Sequence, residues 1–159
     1  MITLRKPSAQ IEHDYIYPGD DAIDRDRPDW EAELEAALES GDPNRLPLKP
    51  GAKPTIFTLR QPTALLRRTM QDIVTAGTTH NGGLNRASRK LAEVVLVRVR
   101  DAGGVFGTDH EFELVTVESH GFPTVKVVDM DILDNFDNGG LVDMIGLFAI
   151  RHLHPPKNS

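Results

Sequence analysis

Glu111-Phe112-Glu113-Leu114-Val115-Thr116-Val117-Glu118-Ser119-His120-Gly121-Phe122-Pro123-Thr124-Val125-Lys126-Val127-Val128 carries the clearest β signal in the chain. Phe112, Leu114 and Thr116 alternate with Glu113, Val115 and Val117, which is the period of a pleated strand. Thr124 to Val128 repeats that texture, and His120-Gly121 supplies the turn, so the stretch predicts a β-hairpin.

On the C-terminal side, Asp129 suits the cap of a short helix from Met130 to Phe136. Asn138-Gly139-Gly140 breaks the chain. Leu141, Ile145, Phe148, Ala149 and Leu153 then line one face of a closing helix, stopped by Pro155-Pro156.

On the N-terminal side, the helical period returns twice. Pro62 opens a helix running to about Ala76, with Leu65, Leu66, Met70, Ile73 and Val74 inward and Arg67, Arg68, Gln71 and Asp72 outward. After the loop from Gly77 to Gly83, a second helix starts near Leu84 with Leu84, Ala87, Leu91, Val94 and Val95 on one face. Val94 to Val99 fits a strand as well; the reading favours helix to about Arg100, ended by Gly103-Gly104. Before these, Pro54 to Arg60 is β-branched and aromatic, and reads as a strand. Pro43, Pro47, Pro50 and Gly51 form a connector without capacity to join a ladder. Pro28 to Gly41 frames a short helix with a narrow stripe of Trp30, Leu34, Ala37 and Leu38.

Residues 1–27 read as an extended N-terminal arm. Pro7, Pro18, Gly19 and the acids Asp20, Asp21, Asp24 and Asp26 are mixed with Ile11, Tyr15, Ile16, Tyr17 and Ile23, and neither period emerges. Two readings stand side by side: a frayed terminus, or, since these apolar side chains exceed what a flexible linker needs, an arm that orders against a partner. The expected architecture is α+β: a helical core with a β-hairpin in one domain over residues 28–159, preceded by that arm.

Charge is sorted along the 159 residues. Residues 1–50 hold 6 Lys/Arg and 12 Asp/Glu, residues 51–100 hold 9 and 2, and residues 101–159 hold 3 and 10. A basic middle between acidic flanks predicts an electrostatic contact, made internally or with another copy or partner. Cysteine is absent, which excludes disulfides, thiol chemistry and Cys-ligated metal. The start of the sequence lacks the apolar core of a signal peptide, and no apolar run approaches bilayer length. The expectation is a soluble protein made in a cytoplasm, with no membrane partner.

Few residues suggest chemistry. Asp129, Asp131, Asp134 and Asp137 beside Asn138-Gly139-Gly140 fit neither register of a calcium loop, since a register begun at Asp134 puts Phe136 third and Ile145 twelfth. The six histidines, His13, His80, His110, His120, His152 and His154, lack two-ligand helical spacing. Asp109-His110-Glu111 has no nucleophile motif beside it. Neither catalytic, metal nor cofactor residues are expected, and the chain reads as non-enzymatic. Gly82-Gly83 ahead of Arg86, Arg89 and Lys90 could cradle an anion at a helix start, yet a basic helix face that meets acid is the simpler reading. Arg67 and Arg68 extend that surface. Phe57 is the sole aromatic of the middle block, so single-strand stacking has little to use and nucleic acid is not the expected partner. The expected interaction residues are Ile11, Tyr15, Ile16 and Tyr17 of the arm and Arg67, Arg68, Arg86, Arg89 and Lys90 of the basic surface.

The order of these parts is a Pro- and acid-rich entry, Lys53-Pro54-Thr55-Ile56-Phe57-Thr58-Leu59, a helical middle, a short β element and a closing helix carrying Gly146. In that order the chain resembles small tailed-bacteriophage proteins of the head–tail and tail-assembly module, among them tail-assembly chaperones and minor virion components. The resemblance implies a structural or assembly protein in the virion or host cytoplasm. Its partners would be other virion or assembly proteins, with self-association, and no functional residue carries over. The rivals are a cytoplasmic tail-assembly chaperone, an anion- or nucleic-acid-binding regulator using the basic middle block, and a hydrolase using the acidic loop.

Overall fold

Leu96 begins a strand where the sequence predicts that the helix continues. The computed structural model describes residues 3–4, 12–61, 68, 71, 72, 75, 83–101, 109–119, 122–127 and 140–153. Within them the order is β1 (Glu12–Tyr15), α1 (Trp30–Ser40), a 3-10 turn (Pro43–Arg45), β2 (Thr55–Arg60), α2 (Gly83–Val95), β3 (Leu96–Asp101), β4 (His110–Glu111), β5 (Leu114–Ser119), β6 (Phe122–Val127) and α3 (Gly140–His152). The fold class is α+β. The short helix expected over Met130–Phe136 lies outside the described residues.

The chain divides into two compact units, not at 27/28. One comprises Met1–Arg60 with Arg98–Glu111, the other Gln61–Val97 with Phe112–Ser159. In the first, the strands run β1-β2-β3-β4 across a four-stranded sheet. β1 and β2 are antiparallel, with Glu12 opposite Arg60, His13 opposite Leu59, Asp14 opposite Thr58 and Tyr15 opposite Phe57. β3 and β4 are antiparallel too, Arg98 facing Glu111 and Val99 facing His110.

Two expectations are corrected here. Helix to Arg100 is wrong, because α2 stops at Val95 and the β-branched run Val94 to Val99 crosses from one secondary structure into the other. Pairing with β4 supplies the hydrogen bonds that a further helical turn would have offered.

Residues 12–27 are likewise no separate arm. His13, Asp14, Tyr15, Ile16, Ala22 and Ile23 are all buried. Asp20 accepts from the Ala22 amide through Oδ1 and from the Thr55 amide through Oδ2, both at 2.9 Å, which pins the turn after β1 to the start of β2. The Asp24 amide donates to the Pro47 carbonyl at 2.8 Å and the Lys49 amide to the Ala22 carbonyl at 2.9 Å. The connector therefore joins the structure as well, through a bridge between Ile23 and Leu48. A four-residue strand is too short to show a period of its own. Its apolar side is visible only in register with Phe57 and Leu59.

Burial of Tyr15 pushes its hydroxyl pKa above the ordinary value of 10.0, and Tyr17 adds a smaller electrostatic contribution. Unfolding releases a tyrosine that ionises more easily, so the stabilisation is complete below about pH 10 and is lost as pH rises beyond that. Melting temperature followed from about pH 8 to 12 should fall more steeply for the wild type than for Tyr15→Phe. Parallel curves would show that Tyr15 ionises as freely in the fold as out of it.

α1 ends at Gly41, which has a φ of 71° and donates its N–H to the Ala37 carbonyl, a left-handed cap. Leu34, Ala37 and Leu38 are its buried stripe, as the spacing predicts, while Trp30, expected in the same stripe, is half-buried. In the second unit, α2 packs on α3, and β6 packs on α2. The hairpin forms as expected, Leu114 pairing Val127 through to Ser119 pairing Phe122. β6 begins two residues earlier than its sequence suggested, at Phe122-Pro123. The 111–119 run is split, Glu111 belonging to β4 and Leu114 onward to β5. Residues 68, 71, 72 and 75 are helical and exposed, in agreement with the outward face of the helix expected after Pro62.

Candidate functional site

Alternation along β1, β2 and β3 sorts the first unit's sheet into two faces. His13, Tyr15, Phe57, Leu59 and Val99 share one, and Glu12, Asp14, Thr58, Arg60, Arg98 and Arg100 share the other. Asp14 is fully buried, accepting from the Thr58 hydroxyl at 3.0 Å and from Arg100 Nη2 at 2.9 Å. Arg98 divides its guanidinium. Nη1 and Nη2 reach the two Glu12 oxygens at 2.9 and 3.3 Å, while Nε reaches the two Glu111 oxygens at 3.0 and 3.3 Å. β2 lies between β1 and β3, so both arginines stretch across it. The planar guanidinium fork suits that task, giving two parallel bonds where an ammonium would give a point charge. Arg60 stands opposite Glu12 in register. Its Nε is buried without a hydrogen-bond partner among the described residues, and burial pulls its pKa below the ordinary value.

This cluster was not singled out from the sequence. Its signal was there in the period-two pairs Glu12-x-Asp14 and Arg98-x-Arg100. The first lay in a segment read as an arm, the second in one read as helix.

The expected interaction residues divide between the units, Tyr15, Ile16 and Tyr17 in the first and Arg68, Arg86, Arg89 and Lys90 in the second. Tyr15 and Ile16 are buried within the first unit, at 3% and 0% exposure, and so cannot present an arm to a partner; Tyr17 is half-buried. Ile11 lies outside the described residues. Of the basic group, Arg68 is exposed, Arg89 is half-buried, and Lys90 is exposed with its ammonium 3.4 Å from Glu93 Oε2. Arg86 lies in α2, and Arg67 is outside the described residues, as are the Asp129–Asp137 cluster and His80, His120 and His154.

A shallow open groove of about 350 Å³ runs beside α1, lined by Arg27, Ala32, Glu33, Ala36, Asn44 and Arg45. Its Arg27 is tied to Glu33 at 2.6 Å. Among the described residues, no helix is long and apolar enough to cross a membrane.

Comparison with protein-family models, with curated proteins and with solved structures gives no match to this chain.

Proposed function

We propose that the protein is a non-enzymatic structural or assembly component acting through protein–protein contacts, of the kind found in the tailed-bacteriophage virion. One observation supports it above the others. Five of the ionisable side chains gathered on the sheet of the first unit are engaged with one another: Asp14 with Arg100, and Glu12 and Glu111 with Arg98. Groups used in general acid–base chemistry must face a substrate with a proton to exchange, whereas these join strands distant in sequence. The same contacts answer the charge sorting, since Arg98 and Arg100 of the basic middle meet acids of both flanks inside the chain. That leaves fewer cations for the reading as an anion- or nucleic-acid-binding regulator.

Mass spectrometry of purified particles against the cleared lysate tests the reading. Recovery with particles fits a virion component, and recovery only with an unassembled tail protein fits the assembly chaperone. Recovery with neither, together with tight and salt-sensitive binding to DNA, would overturn the proposal.

A further inference from the structure

We propose that the outer face of α3 is a self-association surface, on which a second copy of this chain docks antiparallel across a two-fold axis at Leu147. The inner face is filled by Leu141, Val142, Ile145, Gly146, Phe148 and Ala149, all buried. At 100° per residue the opposite face is centred on Leu147, with Asp143 and Met144 one turn before it and Ile150 and Arg151 one turn after. Met144, Leu147 and Ile150 are half-buried, so α3 is apolar on the side away from its core as well, a pattern that belongs to helices covered on both sides. Neither Asp143 nor Arg151 has an ion-pair partner among the described residues.

The spacing of these five residues identifies the occupant. Asp143 and Arg151 lie four residues to either side of Leu147, and Met144 and Ile150 lie three to either side. An antiparallel pair of α3 helices related by a two-fold axis sets each position against its mirror about Leu147. Asp143 then meets Arg151 of the second copy, Met144 meets Ile150, and Leu147 meets Leu147, with the ion pair formed twice by symmetry. A parallel pair would set Asp143 on Asp143 and Arg151 on Arg151, so charge selects the direction. The contact area of one helix pair is at the small end for a specific interface, which puts the dissociation constant on the order of micromolar.

This deepens the assembly reading by naming one of its contacts, and it can fail while that reading stands. Sedimentation equilibrium of the full chain across the micromolar range should give a species of twice 17.6 kDa. Asp143→Arg and Arg151→Asp should each weaken it by roughly tenfold. An equimolar mixture of the two variants, or both changes in one chain, should restore it. Because the chain has no cysteine, Leu147→Cys gives a single thiol on the axis. Treated with oxidised glutathione, it should form an intermolecular disulfide well before Arg151→Cys does. A wild type that stays monomeric overturns the proposal, and so does association that both charge reversals leave unchanged. Equal crosslinking at positions 147 and 151 has the same consequence, as does binding of α3 to lipid vesicles in place of a second copy.

Discussion

Gly146→Ala is expected to lower stability by about 3 kcal/mol, at the top of the range for overpacking a core. Gly146 sits where α3 meets α2. A Cβ built on it overlaps the carbonyl oxygen and carbon of Ser88 and lies 2.5 Å from its Cα. These are backbone atoms, so no change of rotamer clears them and the helices must separate. Ser88, Leu91, Ala92, Leu141, Ile145 and Ala149, all buried, then lose packing together. In a chain of this length each kcal/mol moves the melting temperature by about 2–4 °C, so a fall of roughly 6–12 °C should be seen by calorimetry. Gly51→Ala makes the contrast. Gly51 has a φ of 74° but nothing within 4 Å of an added Cβ, leaving only the left-handed strain of about 1 kcal/mol. A Gly146→Ala melting temperature within a degree or two of the wild type would refute the close crossing.

Arg100→Ala should cost about 3–5 kcal/mol, because it strands a carboxylate that has no access to water. Asp14 would keep only the Thr58 hydroxyl. Asp14→Ala should cost less, about 2–3 kcal/mol, since Arg100 is 38% exposed and can turn its guanidinium into solvent. Replacing both at once, Asp14→Leu with Arg100→Met, should recover most of the loss by exchanging a buried ion pair for apolar packing. Glu111→Ala should change little, about 0–1 kcal/mol, because that carboxylate is 73% exposed. Urea midpoints of the four variants order these effects. Equal losses for Arg100→Ala and Glu111→Ala would mean that burial of Asp14 contributes nothing.

The elements legible in the sequence were those whose pattern is local. Leu114 to Val127 alternates over enough residues to reveal a hairpin, and Gly41 announces the end of α1. Leu141, Ile145 and Ala149 mark α3 by spacing alone. What escaped was set by distant partners. Glu12-His13-Asp14-Tyr15 carries two acids and a histidine, and becomes a strand because Arg60 to Phe57 lies beside it and two arginines reach it from β3. Leu96 to Asp101 holds residues that serve a helix or a strand, and β4 decides between them. The charge sorting was visible as a block property. That it is partly neutralised within the chain appears only when Arg98 and Arg100 are placed against Glu12 and Asp14.

The two units interleave: the chain leaves the first after Arg60, returns to it at Arg98, and leaves again after Glu111. Each arginine–acid pair spanning β1 and β3 joins residues 86 apart. A ribosome adding about 5–20 residues per second takes roughly 4–17 s to cover that distance. Throughout that interval Asp14 has been translated and β1 already has its ladder partner β2, but the guanidinium that shields Asp14 is missing. The sheet can therefore mature only late in synthesis, after the residues of the other unit's first helix have already left the peptidyl-transferase centre.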